Sequence, residues 1–136
     1  MSLLGLLSCR PASPLPKPEP SATLKVTKIV PARYEGPAGD AMEQACGDWR
    51  LTAQQVERFF QTSNRYEESP YSRFYQVPCS ITGELEAEGQ TWKFTIDGGA
   101  TATWRRNGVT RYWGCSAKVC EPLVLMPTDF MNPDAE

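Results

Sequence analysis

Apolar and polar residues alternate with a period of two along much of the second half of the chain. In residues 79–87, Cys79, Ile81, Leu85 and Ala87 share one face, and Ser80, Thr82, Glu84 and Glu86 share the other. Successive side chains of a strand point to opposite sides, so this stretch predicts a half-buried strand. Glu88-Gly89 ends it, and the pattern restarts with Trp92, Phe94 and Ile96 opposed to Thr91, Lys93 and Thr95. Asp97-Gly98-Gly99 supplies residues that tolerate the positive φ of a tight reversal. A third run sets Ala100, Ala102 and Trp104 against Thr101, Thr103 and Arg105. Asn107-Gly108 suits a type I′ hairpin turn, and a fourth strand follows over residues 109–114. Short turns between consecutive strands predict sequential antiparallel pairing.

A helical period is clear in one place. Thr52-Ala53-Gln54-Gln55 has the form of a capping box. Val56, Phe59 and Phe60 then lie on one face, with Gln54, Glu57, Arg58 and Gln61 on the other. The helix should end near Ser63-Asn64, and its phenylalanines should cover the apolar face of the sheet. That face carries Ile81, Leu85, Trp92, Phe94, Ile96 and Trp104, with Val109, Arg111 or Trp113 added from the last strand. Weaker alternation over residues 23–30 predicts a first strand. Residues 31–40 read as loop, residues 41–48 as a helical turn, and residues 66–77 as an aromatic, irregular segment. Leu123-Val124-Leu125-Met126 suggests an added edge strand. The fold class is therefore α+β, with one main helix packed on a four- to five-stranded antiparallel β-meander.

A length of 136 residues allows one domain. Prolines 11, 14, 16, 18 and 20 make residues 10–21 a stiff, extended tether. The globular domain is expected over residues 22–126, with a C-terminal tail over 127–136. Fourteen basic against sixteen acidic residues leave a net charge of −2, which gives no basic face for nucleic acid. Histidine is absent, which removes the commonest general base and the commonest metal ligand. No catalytic residue, metal or cofactor is therefore expected. Glu84, Glu86 and Glu88 recur at two-residue spacing and leave a carboxylate-based hydrolase as a remote alternative. A solvated strand face that discourages aggregation accounts for them more simply. Asp97-Gly98-Gly99-Ala100 joins two strands instead of opening a helix, so it lacks the context of a phosphate loop.

The five cysteines bear on compartment. Cys46, Cys79, Cys115 and Cys120 form an even set within the domain, and disulfides persist mainly outside the cytosol. Four cysteines allow three pairings, and sequence alone selects none. Cys115 with Cys120 would close a short loop, and Cys46 with Cys79 would tie the helix entry to the meander; this arrangement is favoured. A redox pair would want Cys-x-x-Cys at a helix start, and a four-cysteine zinc site would want closer pairs.

Around the Asn107-Gly108 hairpin, Trp104, Arg105, Arg106, Arg111, Tyr112 and Trp113 cluster, and Tyr71 and Tyr75 lie in the aromatic segment. Tyr, Trp and Arg dominate interface hot spots, so these residues are candidate contacts for a protein partner. Cross-strand pairs with arginine stems spread over the sheet are the plainer account. The expected function is a non-enzymatic exported domain that binds a partner protein as inhibitor, immunity factor or envelope assembly accessory. The alternative is a small-ligand binder with a pocket between helix and sheet, lined by Phe59, Phe60 and Trp92.

Leu6-Leu7-Ser8-Cys9 resembles the bacterial lipobox, in which aliphatic and small residues precede a cysteine that becomes lipidated. The resemblance implies a truncated or mis-started lipoprotein signal over residues 1–9, with the true start upstream and the anchor on Cys9. Arg10 in place of an aspartate after that cysteine implies the outer membrane, periplasmic side, as the location in the cell envelope. The order of strand, helix and four-strand meander is similar to the cystatin-like arrangement, a fold-level analogy from which no activity transfers. Cys46-x-x-Trp49-x-Leu51, Pro78-Cys79, Gly98-Gly99 and Gly114-Cys115-x4-Cys120 also look like an uncharacterised group of short bacterial lipoproteins. That likeness implies an exported disulfide domain and no catalytic residue.

Overall fold

The computed structural model describes residues 24–128. Cys9, the tether over residues 10–21 and all but the first two residues of the tail over 127–136 lie outside the described residues. In chain order the elements are β1 (Lys25–Tyr34), α1 (Ala41–Asp48), α2 (Ala53–Thr62), β2 (Asn64–Tyr66), β3 (Cys79–Ala87), β4 (Gln90–Asp97), β5 (Thr101–Arg106) and β6 (Val109–Gly114). Two 3-10 turns, Tyr71–Arg73 and Lys118–Leu123, complete them. The strands form one sheet in the order β1-β3-β4-β5-β6-β2, antiparallel at every pairing. The class is α+β. Six strands with two α-helices stand where four or five strands and one main helix were expected.

The longer first strand and the added short one each have a local cause. β1 runs on through Pro31 to Tyr34, where a loop was expected, because the register shifts between Val30 and Arg33. A proline without an N–H is tolerated at an edge-strand irregularity of this kind. β2 is only three residues long, too short to carry a period. It forms because α2 stops at Ser63 and the chain leaves it already extended, placing Arg65 opposite Trp113 and Tyr66 opposite Tyr112.

α2 follows its capping box: the Gln55 N–H donates to Thr52 Oγ1 at 3.1 Å, and the Thr52 N–H donates to Gln55 Oε1 at 2.8 Å. Val56, Phe59 and Phe60 are buried against the sheet. Glu57, on the same helix, accepts from the Val26 N–H at 2.9 Å and ties α2 to the edge strand. α1 is longer than a single turn. Asp40 caps it by accepting from the Met42 N–H, yet Cys46 is its only buried residue. The Cys46–Cys79 bridge, with Met42 packed partly against the core, holds this helix down.

The turns divide into two kinds. Glu88-Gly89 and Asn107-Gly108 both place two consecutive residues at positive φ, as a type I′ hairpin requires. At the third turn the positive φ falls on Ala100, not on the glycines. Gly98 and Gly99 serve close approach instead: a Cβ on Gly98 would lie 2.9 Å from Val77 Cγ1. Beyond β6 no edge strand forms over residues 123–126. Cys115–Cys120 and Pro122 turn the chain into the second 3-10 segment, and the N–H groups of Leu125 and Met126 donate to the Gly98 carbonyl.

A candidate binding site on the outer sheet face

Strand register assigns every side chain of the meander to one of two faces. The inner face, under α2, takes Trp92, Phe94, Ile96, Trp104, Arg111 and Trp113. Of the residues expected to meet a partner, three are thus on the core side. Trp104 is 4% exposed. Its ring meets Trp92 at 5.6 Å, Trp113 at 4.7 Å and the edge of Phe60 at 5.4 Å. The Arg111 guanidinium lies 4.4 Å from the Trp92 ring centre, and that of Arg65 lies 5.9 Å from Trp113. Arg111 also makes a two-pronged pair with Glu88, 3.0 Å at each prong, and this pair holds the Glu88 carboxyl below its ordinary range. The indole N–H groups of Trp92, Trp104 and Trp113 are buried and find no hydrogen-bond partner among the described residues. Ring contact and stacked guanidinium groups hold this cluster together. It closes the core and presents no open surface at Trp104.

The same register sends Tyr112 and Arg105 outward, beside Thr95, Thr103 and Asp97. Phe74 crosses onto this face at its end, where β6 finishes in Gly114: a Cβ there would lie 2.8 Å from the Phe74 ring. The chain just before Phe74 then overhangs the sheet. Ser69, Pro70 and Tyr71 form one wall of a hollow of about 210 Å³, and Thr95, Asp97, Thr101, Thr103, Arg105 and Tyr112 form the rest. Two further hollows, of about 410 and 330 Å³, adjoin it and share Arg105. Charge is unevenly spread over the three. Lys28, Lys93, Arg105 and Arg106 oppose Glu84 and Asp97, four cations to two anions, in a chain with a net charge of −2. The cations lie toward the Glu84–Lys93–Arg105 row, and Asp97 sits at the other end.

Asp97 is the unusual group. Its Oδ1 accepts from the Gly99 N–H at 2.8 Å, and it also accepts from the Val77 N–H. Burial outweighs both bonds and pushes its pKa up to about 6. Tyr71, 40% exposed, is shifted upward as well, by burial first and by the charge of Asp97 second. Sequence reasoning treated Asp97 only as a turn residue. The available signal was parity: Thr91, Lys93, Thr95 and Asp97 are successive outward positions of β4.

The other expected residues are distributed as follows. Tyr71 and Tyr112 come together at the first hollow, and Arg106 lines the second. Tyr75 packs partly against the core, and its carbonyl lies close to Gly99. Phe59, Phe60 and Trp92 are each at most 3% exposed, so side chains fill the space between helix and sheet. Of the three glutamates, Glu84 and Glu86 stay on the outer face, whereas Glu88 turns to Arg111. Cys46 pairs with Cys79 and Cys115 with Cys120, with Cα separations of 5.8 and 6.3 Å, and all four residues are buried. Among the described residues no group of three or more Cys, Asp or Glu gathers to hold a metal ion, and no helix is long and apolar enough to cross a membrane. Compared with family models, with curated proteins and with solved structures, the chain matches none.

Proposed function

We propose that the chain is a non-enzymatic binding domain of the bacterial cell envelope that docks a partner protein on the outer face of its sheet. The observation that carries this reading is the polarised face itself. Two tyrosines and an arginine, residue types enriched where interfaces are tightest, line one hollow on the face opposite the one that α2 covers. A row of cations lies at one end and a carboxylate at the other, an arrangement that selects both the partner and its orientation. The matching partner presents acidic side chains to Lys28, Lys93 and Arg105. Two buried disulfides are compatible with an oxidising location outside the cytosol. Pockets for whole small molecules run from roughly 300 to 1,000 Å³, whereas the tyrosine-lined hollow measures about 210 Å³, room for one inserted side chain.

A photo-crosslinking residue at position 91, on this face, should capture a defined envelope protein. Unlabelled wild type should compete for that capture, and a Tyr71→Ser, Arg105→Glu variant should not. Equal capture from position 121, beyond the face, or equal competition by the variant would remove the assignment.

A further inference from the structure

We propose that the hollow formed by Tyr71, Asp97 and Tyr112 is a receptor for an organic cation, an ammonium or guanidinium group. The inference deepens the docking reading by naming the group that enters the hollow. A carboxylate offers about four acceptor positions, and Asp97 uses two on the amides of Gly99 and Val77. Those amides fix the carboxyl group without supplying a positive charge. Among the described residues no ion pair is made to Asp97. Arg105 lines the same hollow but stands opposite Lys93 in the register, four residues from Asp97 on β4. That is about 13 Å along a strand. Asp97 is therefore a desolvated anion with no cation of its own. A cation brought in from outside supplies the missing charge.

The walls suit the same ligand. Tyr71 and Tyr112 bring aromatic rings to the hollow, a suitable surrounding for a positive head group. Thr95, Thr101 and Thr103 offer hydroxyl oxygens to its remaining N–H groups. At the Asp97 end an anion would meet the carboxylate, and a purely apolar group would strand it. The charged or titratable groups around Asp97 are Tyr71 from the 3-10 turn, Arg105 from β5 and Tyr112 from β6, with Lys93 further along β4. Asp97 itself changes charge near pH 6. Cation binding should therefore weaken as pH falls through about 6.

NMR titration of the tyrosine rings and the Asp97 carboxyl carbon tests the proposal. The probes are butylammonium and methylguanidinium chloride, with butyramide and methylurea as neutral counterparts, at fixed ionic strength. The cations should shift the Tyr71 and Tyr112 resonances saturably, at least tenfold more tightly than the neutral probes, and should lower the Asp97 titration midpoint. Asp97→Asn should abolish the difference while keeping the near-ultraviolet signature of the tryptophan stack. A blocked lysyl tripeptide binding more tightly than butylammonium would place the cation on a partner's side chain; the reverse order would place it on a free amine. Equal binding of charged and neutral probes, or an unchanged response in Asp97→Asn, would overturn the proposal. If crosslinking from position 91 persists in that case, the docking reading survives without it.

Discussion

Asp97 and Glu88 are acids at two ends of the same meander, and their surroundings push them in opposite directions. Burial raises Asp97 to about 6 from an ordinary 3.8, so the folded state binds its proton more tightly than the unfolded chain does. The stability from that proton is fully present below about pH 4 and is lost as pH rises through 6. Asn keeps the Oδ1 acceptor and removes the charge. Asp97→Asn should thus stabilise the domain at pH 7.5 by about 1–2 kcal/mol, once partial exposure is allowed for, and by nothing at pH 3.5. Urea unfolding at the two pH values measures both. Glu88 is the mirror case, held low by its hydrogen bond to Arg111. Its contribution is present above the usual carboxylate range and is lost as pH falls through the depressed value. Because half of the Glu88 side chain is exposed, the pair itself is worth at most about 1 kcal/mol. Arg111 does more than pair, since its guanidinium also covers the Trp92 ring. Arg111→Ala should cost more than Glu88→Gln, about 2 kcal/mol against 1 or less. Equal losses in denaturant titration would assign the whole effect to the ion pair.

At the scale of elements, what the sequence made legible and what it hid follow one rule: periodicity is readable only where an element is long enough to repeat. The four meander strands and α2 each repeat their pattern at least twice, and Thr52 and Gln55 mark where α2 begins. β2 has three residues and no pattern, and β1 contains a proline that argues against a strand until its edge position is known. The fate of Trp104, Arg111 and Trp113 was half legible. Parity put Trp104 on the helix side with Val109, Arg111 or Trp113 added from the last strand, while composition suggested a surface. Parity decides, because a strand cannot turn one residue over without losing register. The hollow was hidden for another reason, since its wall at residues 69–71 comes from an irregular segment that no period describes. Phe60 is where helix and sheet meet most fully, its ring touching Phe59, Phe94, Trp104 and Trp113. Phe60→Ala should cost about 3–5 kcal/mol. Thr52→Ala, which removes only a cap, should cost about 1 kcal/mol. A smaller loss at Phe60 than at Thr52 in urea unfolding would mean the stack survives without its lid.

The whole molecule depends on two cross-links that do different work. Cys46–Cys79 spans 33 residues and joins α1 to the first residue of β3, and apart from Cys46 the helix offers the core only the partly buried Met42. Cys115–Cys120 spans five residues and shapes the turn after β6. On the loop-entropy account the long closure stabilises by about 3–4 kcal/mol and the short one by about 2 kcal/mol. Their sum is a large share of the roughly 5–15 kcal/mol by which domains are stable at all. Replacing Cys46 and Cys79 together by serine should therefore lower the melting temperature more than replacing Cys115 and Cys120, and should melt α1 first. Amide exchange over residues 41–48 would show it. Because all four disulfide cysteines are at most 3% exposed, a reductant reaches the sulfurs only when the fold opens. In the native protein, thiols should then appear at the rate of unfolding and accelerate with urea. Rapid release of four thiols under native conditions, with an unchanged melting point, would mean that the cross-links neither lie buried nor hold the fold, and the case for an oxidising compartment would fail with them.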